Sequence, residues 1–165
     1  MEVKESINKI IKGLDLSKKE ISSVMNQILT GSVSQDQIVS FLGSLSAKGE
    51  SIEEVIGSAE VMRDLSSKVS VNQEHLVDTC GTGGVGSGIF NVSTTAAFIA
   101  SSYGAKVAKH GNRSATRKSG SADLLETAGV ALELNPDQVK QCIENIGVGF
   151  MFAPAHHSAM KHAIG

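Results

Sequence analysis

The stretch DTCGTGGVGSGIFNVST, residues 78–94, places five of the chain's 17 glycines within eight positions, Gly81 to Gly88. No helix or strand tolerates that density, because each glycine adds backbone entropy to the unfolded chain and brings no side chain to a core. The stretch must be a loop, and the segments on its two sides decide the fold.

Upstream, to about residue 70, the pattern is helical. Ser17-Lys-Lys-Glu20, Ser34-Gln-Asp-Gln37 and Ser51-Ile-Glu-Glu54 each have the form of a capping box, in which Ser and Glu or Gln satisfy each other's orphan amides. Apolar residues follow at spacings of three and four: Ile21, Val24, Met25 and Ile28, then Ile38, Phe41, Leu42 and Leu45, then Val55, Ile56, Ala59 and Met62. With the amphipathic start MEVKESINKIIKG and breaks at Gly31 and Gly49, residues 1–70 are expected to form a small helical bundle.

Beyond the polar linker SSKVSVNQEH the texture alternates. Strands are expected at Leu76–Val77, Ala105–Ala108, Val130–Leu134 and Val148–Phe152, and helices at Ser93–Tyr103, Ser119–Ala128 and from the Asn135-Pro136 cap to about Ile146. Alternation of this kind specifies a parallel sheet flanked by helices, so residues 75–165 read as an α/β domain. Four strands make a thin sheet, so the expectation is the front portion of a longer protein.

A net charge of −2 gives no basis for binding nucleic acid or a membrane surface, and the absence of Trp with only one Tyr removes a base-stacking platform. The N-terminus lacks the apolar core of a signal peptide, and no apolar run reaches the ~20 residues that span a bilayer. Cys80 and Cys142 do not form a disulfide or zinc pattern. A reduced, cytoplasmic protein is expected.

Gly81, Gly83 and Gly86 satisfy G-x-G-x-x-G, the dinucleotide fingerprint. Yet the helix opens only near Ser93, and no acidic residue follows about 20 positions on to hold a ribose. From Thr79 through Ala122 there is no Asp or Glu, while Lys106, Lys109, Arg113, Arg117 and Lys118 fall in the same stretch with His110. Glycine amides, a helix N-terminus and clustered cations together describe a phosphate or pyrophosphate site. Asn91-Val92-Ser93-Thr94 lies where the loop becomes the helix, and a serine hydroxyl there can ligate Mg²⁺ carried on pyrophosphate. The loop Lys109-His110-Gly-Asn112-Arg113-Ser114 leaves the end of the neighbouring strand, where parallel sheets place their ligands. His156, His157 and His162 lack an accompanying carboxylate or thiol, which favours surface or channel positions over a metal site.

GTGG, NVSTTAAF, AKHGNRS, KSGSADLLE and GFMFAPAHHSAMKHA, in that order and spacing, resemble the anthranilate phosphoribosyltransferase family along the whole chain. The resemblance implies a helical domain joined to a nucleoside phosphorylase-like α/β domain, a homodimer formed through the helices, and Mg²⁺ as cofactor. It further implies transfer of phosphoribose from phosphoribosyl pyrophosphate to anthranilate, with release of pyrophosphate, in tryptophan biosynthesis. On this basis Gly81, Gly84, Val85, Asn91, Val92, Ser93, Thr94, Lys109, Arg113, Ser114, Arg117 and Ser121 are expected around the donor, with Ser93 on Mg²⁺. Asn112 and His110 are expected to face anthranilate beside Gly81, with Lys109, His110 and Asn112 nearest the reaction. Ala153, Pro154 and His157 are expected to line the acceptor's approach.

Two positions depart from the family pattern: Val85 stands where an aspartate is usual, and Ile89 where a threonine is common. The family's Asp-Glu metal pair and its carboxylate-binding arginine belong to a second half beyond Gly165, so the expectation for these 165 residues alone is little or no turnover. The competing readings are a pyrimidine nucleoside phosphorylase, whose phosphate and base loops differ from KHGNRS, and a non-catalytic dimerisation fragment.

Overall fold

A computed structural model of the chain describes residues 1–72, 74–81, 90–114 and 120–164. It divides into two compact units, Met1–Ser66 with His157–Gly165, and Ser67–His156.

The first unit is a helical bundle of α1 (Val3–Ile11), α2 (Lys18–Leu29), α3 (Gln35–Lys48) and α4 (Ile52–Asp64), with a 3₁₀ helix at Ser158–His162. Ile10, Leu16, Ile21, Val24, Ile28, Ile38 and Phe41 are almost wholly buried at its centre, each contributing about 1.5–3 kcal/mol of burial before conformational entropy is counted. The boxes at Ser17 and Ser51 form as expected, with Glu20 N donating to Ser17 Oγ and Glu54 N donating to Ser51 Oγ. Ser34 stands at the N-cap of α3 but makes no side-chain cap, because its hydroxyl donates to Gln37 Oε1 instead, at 3.2 Å.

Of the expected stripe of α4, Met62 packs against the core and the other three residues face outward. Val55, Ile56 and Ala59 are exposed, and Leu42 of α3 is also largely in solvent. The first turns of α4 face inward through Glu54 and Gly57, with Val61 and Met62 packed against the core beyond them. A Cβ on Gly57 would sit 2.5 Å from Ile21 Cγ2 and 2.9 Å from the Lys18 carbonyl, so the missing side chain is what lets α4 approach α2.

The second unit holds a three-stranded parallel sheet in the order β1 (Leu76–Val77), β2 (Lys106–Gly111), β3 (Val148–Phe152). Leu76 pairs with Lys106, and Lys109 with Phe150. The flanking helices are α5 (Val92–Ser102), α6 (Ser121–Thr127), α7 (Pro136–Ile146) and the short α8 (Ala153–His156). Asn135 caps α7 as its sequence predicts, accepting from Gln138 N at 2.9 Å. Two expectations need correction. Strand β2 runs on to Gly111, so Lys109 and His110 belong to the strand and not to the loop after it. The Val130–Leu134 run is not a strand. It links α6 to α7 and buries Leu132 beside Leu125, Phe150 and Phe152, while β2 and β3 pair directly and leave it no place between them.

Candidate functional site

Burial alternates along β2, which sends Val107, Lys109 and Gly111 to one face. Lys109 is thus only 2% exposed, yet it carries an ammonium. Its Nζ donates to Ser93 Oγ at 3.3 Å and to Thr79 Oγ1 at 3.4 Å. Thr79 Oγ1 in turn donates to the Ser93 carbonyl at 2.8 Å, tying the exit of β1 to the first turn of α5. Burial pushes the Lys109 pKa below the ordinary lysine value, and the negative charge of Asp78 opposes that shift. No carboxylate pairs directly with this ammonium among the described residues, whose ion pairs all lie elsewhere. Two long hydroxyl contacts are weak compensation for a withdrawn charge, so the group is electrostatically poised for an anion.

The N-terminus of α5 lies at the same place. Asn91 occupies the N-cap, but its side chain makes no cap hydrogen bond, so the positive end of the helix dipole stands beside Ser93 and Lys109. Val92 begins the helix and is half exposed, whereas Thr94 is buried with no hydrogen-bond partner for Oγ1 among the described residues. Thr94 faces a cavity of about 440 Å³ that is walled by Ala97, Phe98, Leu125, Ile146 and Phe150. Lys109 lines the same cavity, so its ammonium stands between this mostly apolar space and the hydroxyls of Ser93 and Thr79.

His110 N donates to Asp78 Oδ1 at 3.3 Å, and His110 Nδ1 lies 3.9 Å from Cys80 Sγ. Cys80 is exposed beside Gly81, with its own N–H donating to Asp78 Oδ1 at 2.9 Å. Asn112 is exposed after β2. Its side chain accepts from Arg113 N at 2.8 Å and its carbonyl accepts from Ala122 N and from Ser121 Oγ. Asp123 fixes this loop against α6 by accepting from Ser114 N at 3.0 Å and from Gly120 N at 2.6 Å. Those two amides hold the Asp123 carboxyl below the usual aspartate range.

The local excess of positive charge is smaller in space than in sequence. Arg113 forks onto Glu126, 2.6 and 2.7 Å from its two oxygens, with Asp123 at 3.5 Å and the Phe152 ring beneath. Lys106 donates to the carbonyl of Glu144 at 2.7 Å, at the C-terminal end of α7. Among the described cations of this stretch, Lys109 is the one directed at the loop hydroxyls. Gly84, Val85, Ile89, Arg117 and Lys118 lie outside the described residues.

Ala153 and Pro154 open α8, and Pro154 borders an open cavity of about 530 Å³ with Phe152, Glu133 and His156. His156 is buried with Nδ1 3.4 Å from the Ser67 carbonyl. His157 belongs to the helical unit, where it precedes the 3₁₀ helix. Among the described residues no group of three or more His, Cys, Asp or Glu is placed to hold a metal. The Ser93 hydroxyl beside an ammonium suits a magnesium ion that arrives already bound to pyrophosphate better than a bare one. The sequence reading missed Asp78, Thr79 and Asp123. Extending the parallel register beyond Val77–Val107 sets Thr79 opposite Lys109, which was the available signal for one of them.

A helical bundle joined to a parallel-sheet domain, with a buried lysine and a helix N-terminus at the strand ends, defines a bundle-plus-α/β class. The comparisons narrow it. Residues 73–165 match "Glycosyl transferase family, a/b domain" and residues 4–66 match "Glycosyl transferase family, helical bundle domain". The chain belongs to this glycosyl transferase family. It is 58% identical over its full length to the anthranilate phosphoribosyltransferase of Azotobacter vinelandii and 57% identical to that of Ectopseudomonas mendocina, covering 47% of each. The crystal structure of anthranilate phosphoribosyltransferase from Thermus thermophilus superposes with a TM-score of 0.86 at 42% identity, over 96% of this chain and 48% of that one. The Saccharomyces cerevisiae enzyme, in complex with PRPP and Mg, gives 0.84 at 28% identity, over 97% and 48%. The chain spans about half the length of the curated relatives it matches.

Proposed function

We propose that this chain supplies the donor-binding part of an anthranilate phosphoribosyltransferase, which moves phosphoribose from phosphoribosyl pyrophosphate to the amino group of anthranilate and releases pyrophosphate. The observation that carries the reading is the Lys109 ammonium, withdrawn from solvent and held, among the described residues, only by the hydroxyls of Ser93 and Thr79 at the N-terminus of α5. The relatives' names and the complex of the yeast protein with PRPP and Mg support it.

The ribosyl carbon becomes cation-like as its bond to pyrophosphate breaks, so no protein nucleophile is needed. Catalysis is then stabilisation of the departing negative charge, together with positioning of the incoming amine. Lys109, the α5 dipole and the Ser93 hydroxyl take the first task. Magnesium, when bound, supplies further neutralisation of the pyrophosphate at Ser93. His110 and Asn112 orient anthranilate, with Ala153 and Pro154 along its approach. Arg113 reaches a phosphate only by leaving Glu126, so its part in donor binding requires a rearrangement of that ion pair.

Full activity belongs to a chain of the relatives' length, and the 165 residues alone bind donor with little or no turnover. Self-association through the helical unit is part of the same proposal, supported by the exposed Ile52, Val55 and Ile56 on α4. So is a cytoplasmic location, and no helix among the described residues is long and apolar enough to cross a membrane. Ligand-dependent melting tests the reading. Phosphoribosyl pyrophosphate with Mg²⁺ is expected to raise Tm, and phosphate with uridine is not. Protection by the second mixture alone would move the assignment to a nucleoside phosphorylase.

A further inference from the structure

We propose that Asp78 is a positioning residue that replaces the last rung of the β1–β2 ladder and so sets the spacing between the Asp78–Cys80 turn and the His110–Asn112 segment. The claim rests on the donor-site reading above but concerns a residue which that reading leaves without a role. Regular pairing of β1 ends at Val77, opposite Val107. Strand β2 continues for four more residues, to Gly111, and its amides on that side still need acceptors. At His110 the acceptor is a side chain: Asp78 Oδ1 takes the His110 N–H at 3.3 Å. The same oxygen takes the N–H of Cys80, two residues along its own chain, at 2.9 Å.

One carboxylate oxygen thus closes a turn at the entrance to the glycine loop and ties that turn to the strand presenting His110. A backbone carbonyl in that place would hold the chain flat against β2. The longer reach of a side chain lets the main chain leave the sheet while β2 keeps its hydrogen bond. The carboxylate also supplies negative charge near Lys109, offsetting part of the desolvation that burial imposes on the ammonium. Geometry and charge are separable, because asparagine retains the acceptor oxygen and discards the charge.

The test compares the wild-type chain with Asp78→Ala and Asp78→Asn. One readout is hydrogen exchange of the His110 amide, and the other is calorimetric affinity for magnesium pyrophosphate. Circular dichroism of each variant checks that both units remain folded. In Asp78→Ala the His110 amide is expected to exchange about tenfold faster and pyrophosphate affinity to fall about tenfold, as loss of a charge-assisted acceptor to two amides implies. Asp78→Asn is expected to restore protection of the His110 amide and to bring affinity within about threefold of wild type. Unchanged exchange and affinity in Asp78→Ala overturn the proposal. An Asp78→Asn variant as impaired as Asp78→Ala does so too, because charge and not the clamp would then be responsible. If wild type does not bind magnesium pyrophosphate, the donor-site reading fails, and the exchange of the His110 amide still decides the clamp.

Discussion

Among the described residues, each unit buries one charged side chain almost completely, Glu54 at 1% exposure and Lys109 at 2%, and the two are compensated very differently. Burial pushes the Glu54 carboxyl up, but it accepts from Leu16 N at 2.9 Å, Ser51 N at 2.7 Å and Lys48 Nζ at 2.9 Å, and together these hold it below the ordinary value. Lys109 has two hydroxyl contacts, at 3.3 and 3.4 Å, and burial leaves its pKa lowered. A buried charge whose hydrogen bonds are complete is part of the scaffold. A buried charge left short of partners costs stability in the free protein, and that cost is tolerated where a ligand of opposite sign offsets it.

The contrast can be broken most forcefully at Glu54. Glu54→Ala strips the acceptor from two amides and from the Lys48 ammonium, and is expected to destabilise the helical unit by roughly 3–5 kcal/mol in urea unfolding. A loss under about 1 kcal/mol would show that this network is not the scaffold it resembles. Gly57→Val, which pushes a side chain into Ile21 and the Lys18 carbonyl, should cost about 1–3 kcal/mol in the same assay. Lys109→Met is expected to leave the stability of the α/β unit unchanged or raise it by about 1 kcal/mol, since it removes an under-compensated charge. The pH dependence follows the same division. Glu20 is held at about 2 by Lys9 and the Ser17 groups, so its contribution is complete above the ordinary value of 4.5 and is lost as pH falls from there towards 2. For Lys109 the charged form is instead the costly one. Between its lowered pKa and 10.5 the unfolded chain binds the extra proton, so stability rises with pH there, and the rise is absent in Lys109→Met. The smallest effect belongs to Val55→Glu on the exposed face of α4, within about 0.5 kcal/mol for the isolated unit. In sedimentation the same variant should lower any self-association, and an unchanged association state would remove α4 from the dimer proposal.

The sequence made the helices and the parallel strands legible because caps and apolar period are local signals. Ser17-Glu20, Ser51-Glu54 and Asn135-Pro136 all start helices where expected. The inner face of the first turns of α4 was illegible because packing there depends on a missing side chain at Gly57 and a paired carboxylate at Glu54, and period counting scores neither as core. Val130–Leu134 has a strand's composition but no neighbouring strand to pair with, which only the register of β2 with β3 decides. At the site, Lys109 and Ser93 were readable from residue type and position. The charge tally misled for Lys106 and Arg113, whose partners at Glu144 and Glu126 lie far along the chain or just past the acid-free stretch. Asp78 and Asp123 act on backbone amides, and such contacts leave no periodic trace in a sequence.

The most direct test of the account is calorimetric titration of magnesium phosphoribosyl pyrophosphate into the wild-type chain and into Lys109→Met. Saturable one-to-one binding by wild type, weakened at least about tenfold in a Lys109→Met variant that remains as stable as wild type, is the expected result. No binding by wild type, or equal affinity in the two proteins, would contradict the claim that the under-compensated lysine marks the donor site.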